Sequence, residues 1–279
     1  MKNLEGKVDV IMCTYNSNKP WFKRCLNSIK REIPICHFIV IDRFSRDGTQ
    51  EIIKEIFPEA LIIESTLNLG RARAEAIKYV DTEYFVFVDD DIELSNRWYK
   101  EITKFLSPNT GAIAFMGIPV TKWLKKFFLS TQDIAKSLKR RWVSEWWVNC
   151  ANTLIKTELV KDWLPPSFIS AGEDAHLSKH ILSKGYKVVL IQGMYVKHYG
   201  LRGLKSAQKK LWYCSNERLL RNTNITTKIL LRRFFFSPLR GLYVSIKLKE
   251  AMVIPYTILS DIYALKGWLR WNKYVMWKR

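Results

Sequence analysis

A chain of 279 residues that is 48% hydrophobic and 26% charged, with 12 Gly and 9 Pro, can bury one large α/β core or two unequal ones, and its composition excludes disorder, collagen-like repeats and low complexity. Five cysteines, at 13, 25, 36, 150 and 214 with no Cys-x-x-Cys spacing, give neither a disulfide framework nor a zinc knuckle, so a reducing compartment is expected. The net charge of +20 is unevenly placed: residues 201–279 hold 17 Lys and Arg against 3 Asp and Glu, residues 121–141 hold 7 against 1, and the rest of the chain is neutral.

The amino terminus has an acidic residue at position 5 and no apolar core of signal-peptide length, which argues against export. Short β-branched runs then follow at roughly 20–25 residue spacing with helix-like segments between them: VDVIMC (8–13), HFIVI (37–41), ALIIE (60–64) and YFVFV (84–88). This rhythm predicts a parallel sheet covered by helices, in which ligands sit beyond the carboxyl ends of the strands. A helix is expected near 95–105, a strand near 111–118, and a strand over 146–155. A helix over 173–185 should end at Gly185, and 186–200 reads as a strand pair closing the sheet. From 201 onward amphipathic helical spacing dominates, with Pro238 and Pro255 as expected breaks. The longest stretch without a charged residue, Phe105 to Thr121, is interrupted by Pro108, Gly111, Gly117 and Pro119, well short of the roughly 20 apolar residues of a spanning helix.

Three aspartates close the fourth run. In an extended segment alternate residues point the same way, so Asp89 and Asp91 can offer hard oxygens to one divalent cation while Asp90 faces elsewhere; a solvated acidic turn is the competing reading. At 170–174, Ser-Ala-Gly-Glu-Asp opens an apolar-periodic helix. Ser170 and Glu173 make a capping box, and Asp174, ionised at a helix start, can also deprotonate an acceptor hydroxyl. His198 follows a strand and precedes Gly200 by two positions; it is read either as a structural histidine or as a third ligand to a manganese-like ion, whereas His37, His176 and His180 lack such a context.

Taken in order, these motifs resemble the family 2 glycosyltransferases of GT-A fold. The strand and turn at 8–18, the Asp-x-x-Ser-x-Asp-Gly-Thr loop at 42–49, Asn-x-Gly-x-x-Arg at 68–73, the Asp-x-Asp at 89–91, Glu-Asp at 173–174, the late His198 and the Arg-Asn helix near 213–224 are all similar to the family's pattern. The resemblance implies a Rossmann-like, mainly parallel sheet flanked by helices, a catalytic domain over 1–200 and a basic amphipathic helical region over 201–279. It implies that Thr14, Tyr15, Asn16, Asp42, Arg73 and Asp90 line the nucleotide-sugar pocket, with Asp42 accepting from the base edge. Asp89, Asp91 and His198 would hold Mn or Mg, and Asp174 would be the general base; Trp146 and Trp147, whose rings can stack on sugar C–H faces, are expected with Glu173 at the acceptor, a buried strand being the competing reading for at least one of the two tryptophans. Ala74, where many members carry Asn, and the Arg43-Phe44 pair after Asp42 depart from the pattern and bear on base preference.

The expected reaction is metal-dependent, inverting transfer from a nucleoside-diphosphate sugar to a hydroxyl of a glycan or lipid-linked glycan. A polyprenyl-phosphate sugar synthase and a sugar nucleotidyltransferase are the alternatives on the same fold. A nucleic-acid partner is not expected, because the aspartate-rich strand ends would repel a polyanion. Cations beside Trp123, Leu124, Phe127 and Phe128, and beside Phe234, Phe235, Phe236, Trp268, Leu269, Trp271 and Trp277, suit helices in a headgroup layer, so the protein is expected to be cytoplasmic and peripheral on an anionic inner membrane face. Packing of the same helices on the body or on a partner subunit is the competing reading.

Overall fold

The computed structural model describes residues 7–137, 143–144, 147–169, 171–220, 225–271 and 273. The chain divides into two compact units, one of Met1–Gly117, Arg141–Pro166 and Glu173–Tyr199, the other of Ile118–Arg140, Ser167–Gly172 and Gly200–Arg279.

The first unit is built on a nine-stranded sheet. Strands β1 (Val8–Thr14), β2 (Ile35–Asp42), β3 (Leu61–Glu64) and β4 (Tyr84–Val88) run parallel in the order β3-β2-β1-β4, with α1 (Phe22–Glu32), α2 (Thr49–Ile56) and α3 (Leu69–Ile77) as crossovers. Beyond β4 the sheet continues through β8 (Asn152–Lys156), β6 (Thr110–Pro119), β9 (Lys187–His198) and β5 (Ile92–Glu93), with β7 (Val143–Ser144) also on β9; the recorded β4–β8, β6–β8, β5–β9 and β7–β9 pairings are antiparallel. The parallel rhythm of the first half therefore ends at β4. The order reverses between β1 and β4, and such a switch point opens a crevice beyond the strand ends.

Strand alternation sorts the core. Tyr84, Val86 and Val88 join Phe22, Leu26, Trp98 and Phe115 on one face, while Phe85 and Phe87 join Ile77, Leu177 and Ile181 on the other. Because both faces are covered, β1 and β4 read as continuous apolar runs rather than alternating ones. The helix predicted near 95–105 is short, α4 (Trp98–Ile102) followed by one 3-10 turn, and α6 (Glu173–Ser183) stops before Gly185 at φ 82° as expected.

Two strand expectations are corrected. Of the described residues 147–155, the strand takes in only those from Asn152 onward, because the Asn149 side chain accepts from Ala151 N at 3.0 Å and donates to Phe115 O at 3.2 Å, which holds the preceding backbone in a loop. The segment 186–200 is one strand, β9, not a pair; Gly193 takes φ 96° and the strand continues through it.

The second unit is helical: α5 (Lys122–Ser137), α7 (Lys209–Leu220), α8 (Thr227–Phe235), α9 (Ser237–Leu248) and α10 (Val253–Leu269), with α10 packed against the other four. Pro238 and Pro255 lie inside first turns, where the missing N–H costs nothing, so they start α9 and α10 rather than interrupt them. Leu124 is fully buried with Tyr256, and Trp123 and Phe127 pack edge-on to that ring at 5.5 and 5.3 Å. The α5 aromatics expected at a membrane thus face this unit's own core. Among the described residues no helix is long and apolar enough to cross a membrane.

Gly111 in β6 shows how tightly α6 is seated: a Cβ there would lie 2.5 Å from Ile181 Cγ2 and 2.8 Å from Leu159 Cδ1, both in the core. Gly111→Ala is expected to lower the unfolding free energy by about 1–3 kcal/mol, read from the urea midpoint at unchanged slope.

Candidate active site

The β1–β2 register sets Thr14 beside Asp42 at the carboxyl end of the sheet. Asp42 is buried and accepts from Thr14 Oγ1 at 2.7 Å, Ser45 Oγ at 2.6 Å, Ser45 N at 2.7 Å and Gln50 Nε2 at 2.9 Å. Burial works against the charge, but these donors outweigh it and hold the carboxyl below its ordinary range. With four donors in place, Asp42 organises the 42–49 loop; the base-edge contact expected of it would have to displace one of them. Asn16 stands at φ 49°, where Asn is tolerated, and its Oδ1 accepts from Arg46 N at 2.9 Å while its own N–H donates to Ser45 Oγ at 2.8 Å. Tyr15 is left 59% exposed at the rim, with the Arg43 guanidinium 5.3 Å from its ring.

The three aspartates form a turn rather than an extended segment: Ile92 N donates to Asp89 O at 3.2 Å, and the following two residues enter β5. Alternation therefore does not apply, and each carboxylate takes a different partner. Asp89 accepts from Arg73 Nη2, Asp90 accepts from the Ser17 hydroxyl, and Asp91 Oδ2 lies 3.2 Å from Nε2 of His198, the residue that faces Ile92 across β5 and β9. The expected cation set assembles only in part: Asp91 and His198 come together, while Asp89 is turned to Arg73. Desolvation, reinforced by the Asp91 charge, raises Asp90 to about 7, and desolvation also raises Asp89 against the pull of Arg73.

Arg73 is 3% exposed and also donates from Nη1 to Glu173 Oε1, with its guanidinium 5.5 Å from the Phe87 ring. Burial opposes its charge, and Asp89 and Glu173 more than offset this, so its pKa rises well above the ordinary value. Gly70 eases the link: a Cβ there would stand 3.0 Å from Glu173 Cβ, so a larger residue would push the start of α6 away from the start of α3. Asn68 caps α3, accepting from Arg71 N at 2.9 Å. Glu173, expected at the acceptor, is thus buried against Arg73 instead.

Asp174 remains as the second carboxylate of the pair. Desolvation and the neighbouring Glu173 push it up to about 7, against the Ala175 N–H, Arg73 and a hydrogen bond from Trp147. Ala175 N donates to Asp174 Oδ1 at 2.7 Å. A carboxyl poised near neutrality is suited to proton transfer. Trp147 therefore sits at this carboxylate, while Trp146 and Ser170, and with it the capping box, lie outside the described residues.

Sequence reasoning missed Ser17 and Gln50 as partners. Neither stands out along the chain: Ser17 and Asp90 are 73 residues apart, and only folding makes them neighbours. A separate cluster at the amino ends of β1 and β2, Asp9, Cys36 and His37, has metal-capable atoms, but the Asp9 oxygens accept from Asp81 N at 2.8 Å and from His37 N and Nδ1 at 3.1 and 2.9 Å, which makes it a strut.

The family model for glycosyl transferase family 2 matches residues 9–161, which hold all of this centre except α6 and β9. The chain belongs to that family. Among its relatives, the glycosyltransferase SunS of Bacillus subtilis is 39% identical over 79 residues, 28% of this chain and 18% of that protein. The poly(ribitol-phosphate) beta-N-acetylglucosaminyltransferase TarS of Staphylococcus aureus is 31% identical over 108 residues, 36% of this chain and 19% of its own. The matched segments thus span under a fifth of either relative. Among solved structures, the mannosyltransferase PcManGT from Pyrobaculum calidifontis, in complex with GDP-Man and Mn2+, superimposes with a TM-score of 0.56 at 17% identity over 96% of this chain and 74% of that one. TarS 1-349 from S. aureus in complex with UDP-GlcNAc does so with a TM-score of 0.51 at 20% identity, over 97% and 84%. The shared fold is the GT-A type.

Removing Arg73 would leave Asp89 and Glu173 without their common cation. Arg73→Met is expected to cost about 3–5 kcal/mol of stability at pH 8 in urea unfolding, with a smaller loss at lower pH, where Asp89, already raised by desolvation, takes up a proton.

Proposed function

We propose that this family 2 enzyme transfers a sugar from a nucleoside-diphosphate sugar to a hydroxyl of a glycan or lipid-linked glycan acceptor, with inversion, at the cytoplasmic face of an anionic membrane. The observation that carries this reading is Asp174, raised to about 7 at the start of α6 while its neighbour Glu173 is locked by Arg73. A free proton acceptor near neutrality serves a hydroxyl nucleophile; a polyprenyl phosphate is already an anion and needs none.

The roles follow from position. Thr14, Tyr15 and Asn16 form the nucleoside side of the crevice, with the Tyr15 ring available for stacking and Asp42 holding the loop that carries Arg43. Asp91 Oδ2 and His198 Nε2, 3.2 Å apart, have the spacing of two donors on one Mn or Mg ion, which when bound would neutralise the leaving diphosphate. Arg73 positions Asp89 and Glu173, and Asp90 is held by Ser17. Asp174 takes the acceptor proton as the acceptor oxygen bonds to the anomeric carbon. The carbon–oxygen bond to the diphosphate breaks, the electron pair leaves with the nucleotide, and the single displacement inverts the centre. Trp147, holding Asp174, offers a ring face to the acceptor sugar. In this reading residues 1–200 carry the chemistry and 201–279 the membrane contact.

Asp174→Asn keeps the backbone N–H contact and the volume but cannot accept a proton. It is expected to retain the donor-induced thermal shift and to lose transfer at least a hundredfold. In the wild type, kcat/KM should rise tenfold per pH unit up to about 7 and then level, because the raised carboxyl is protonated and inactive below that value. Transfer by the variant at the wild-type rate, or a pH-independent rate with a sugar-phosphoryl lipid as product, would remove Asp174 from the chemistry.

A further inference from the structure

Helix α9 is turned the wrong way round for a soluble helix. Its buried stripe is Ser237, Gly241 and Ser245, one small residue per turn, and at Gly241 a Cβ would already lie 3.1 Å from the Ile254 backbone of α10. Its large apolar side chains face outward instead: Leu239, Leu242, Tyr243 and Ile246, at the i, i+3, i+4, i+7 spacing of one face, are 64, 47, 64 and 69% exposed. Phe235 and Phe236, at the end of α8, extend the surface at 70 and 56%. A globular helix puts such a stripe on the core; small residues at the helix contact and large apolar ones outside are the arrangement found where the surroundings are lipid.

Charge selects the partner. From Thr227 to Leu248 the chain carries Lys228, Arg232, Arg233, Arg240 and Lys247 and no Asp or Glu. Arg232, Arg233 and Arg240 line one cavity of about 370 Å³ with Ile229 and Phe236. Buried Asp261 of α10 fixes two of the three, Arg240 by a direct hydrogen bond and Arg233 at 3.3 Å, so the guanidiniums are held in place and their charge exceeds that of the single carboxylate. A second copy of this chain would set like charge against like. A nucleic acid would match the cations and leave the apolar stripe in water.

We propose that α8 and α9 form the surface by which this protein docks on an anionic phospholipid bilayer, with Leu239, Leu242, Tyr243 and Ile246 entering the headgroup–acyl boundary and lipid phosphates taken between Arg232, Arg233 and Arg240. This rests on the membrane-peripheral reading above and assigns it to one face. The α5 aromatics and Trp268, which pack inside the unit, have no part in it.

The test is co-sedimentation of the full chain with vesicles of phosphatidylcholine alone and of phosphatidylcholine mixed with phosphatidylglycerol. Two double variants are compared: Leu239→Glu with Ile246→Glu, and Arg232→Gln with Lys247→Gln. All four side chains are exposed, and a thermal melt of each variant verifies folding. Wild type should partition onto the anionic vesicles and not onto phosphatidylcholine alone. The glutamate pair should weaken that partitioning at least tenfold, and the glutamine pair about tenfold, since each cation near such a surface contributes about a fivefold factor at most. The glutamine pair, which leaves the apolar packing untouched, carries the test should the glutamate pair fail to fold. Wild-type binding undiminished in both variants would place the docking face elsewhere and overturn the proposal while leaving membrane attachment standing. No wild-type binding to anionic vesicles would overturn both.

Discussion

One buried cation holds the candidate active centre together. Arg73 projects from α3 into a position where water is excluded, and it persists there only because Asp89 and Glu173 meet its two Nη atoms. Those carboxylates come from the turn after β4 and from the start of α6, segments 84 residues apart in the chain, so the ion triad fixes three elements at one point. Each partner's charge makes the others tolerable, which is the condition under which buried ions survive. The triad also sets two adjacent carboxylates apart: Glu173 is paired with Arg73, and Asp174, desolvated by burial and beside the charge of Glu173, rises to about 7 against the pull of Arg73.

The parallel half of the fold is legible in the sequence because its signal is local and redundant. Four apolar runs spaced for crossover helices, with β1 and β4 buried on both faces, leave little else for residues 8–88 to do. Beyond β4 the signal fails for identifiable reasons. Asn149 bends a segment whose composition reads as strand, and Gly193 is carried through a strand that composition would divide. In the centre, the sequence pattern names residues that the fold brings near one another but does not give their pairings. An argument from strand alternation groups Asp89 with Asp91; the backbone turns at that point, and the two side chains go to Arg73 and His198. Glu173 reads as an acceptor contact or a cap, and only the fold, which brings α6 close to Gly70, pairs it with Arg73.

The basic tail teaches a related lesson. Aromatic residues beside cations look alike along the chain whether they face a core or a bilayer. In space they divide: Trp123, Phe127 and Trp268 pack inward, and the outward apolar face belongs to α9, whose small residues sit where large ones are ordinarily found. The direction of a helix face depends on what its small residues permit, and periodicity alone carries no sign.

The central claim is that the crevice at the ends of β1 and β4, braced by Arg73, receives the nucleoside diphosphate. A crystal structure with Mn2+ and a nucleoside diphosphate tests it most directly. The account predicts the base at Tyr15, the ion on Asp91 and His198, and Arg73 still bound to Asp89 and Glu173. A nucleotide seated away from these residues, or an Arg73 that leaves Glu173 to take the diphosphate itself, would contradict it.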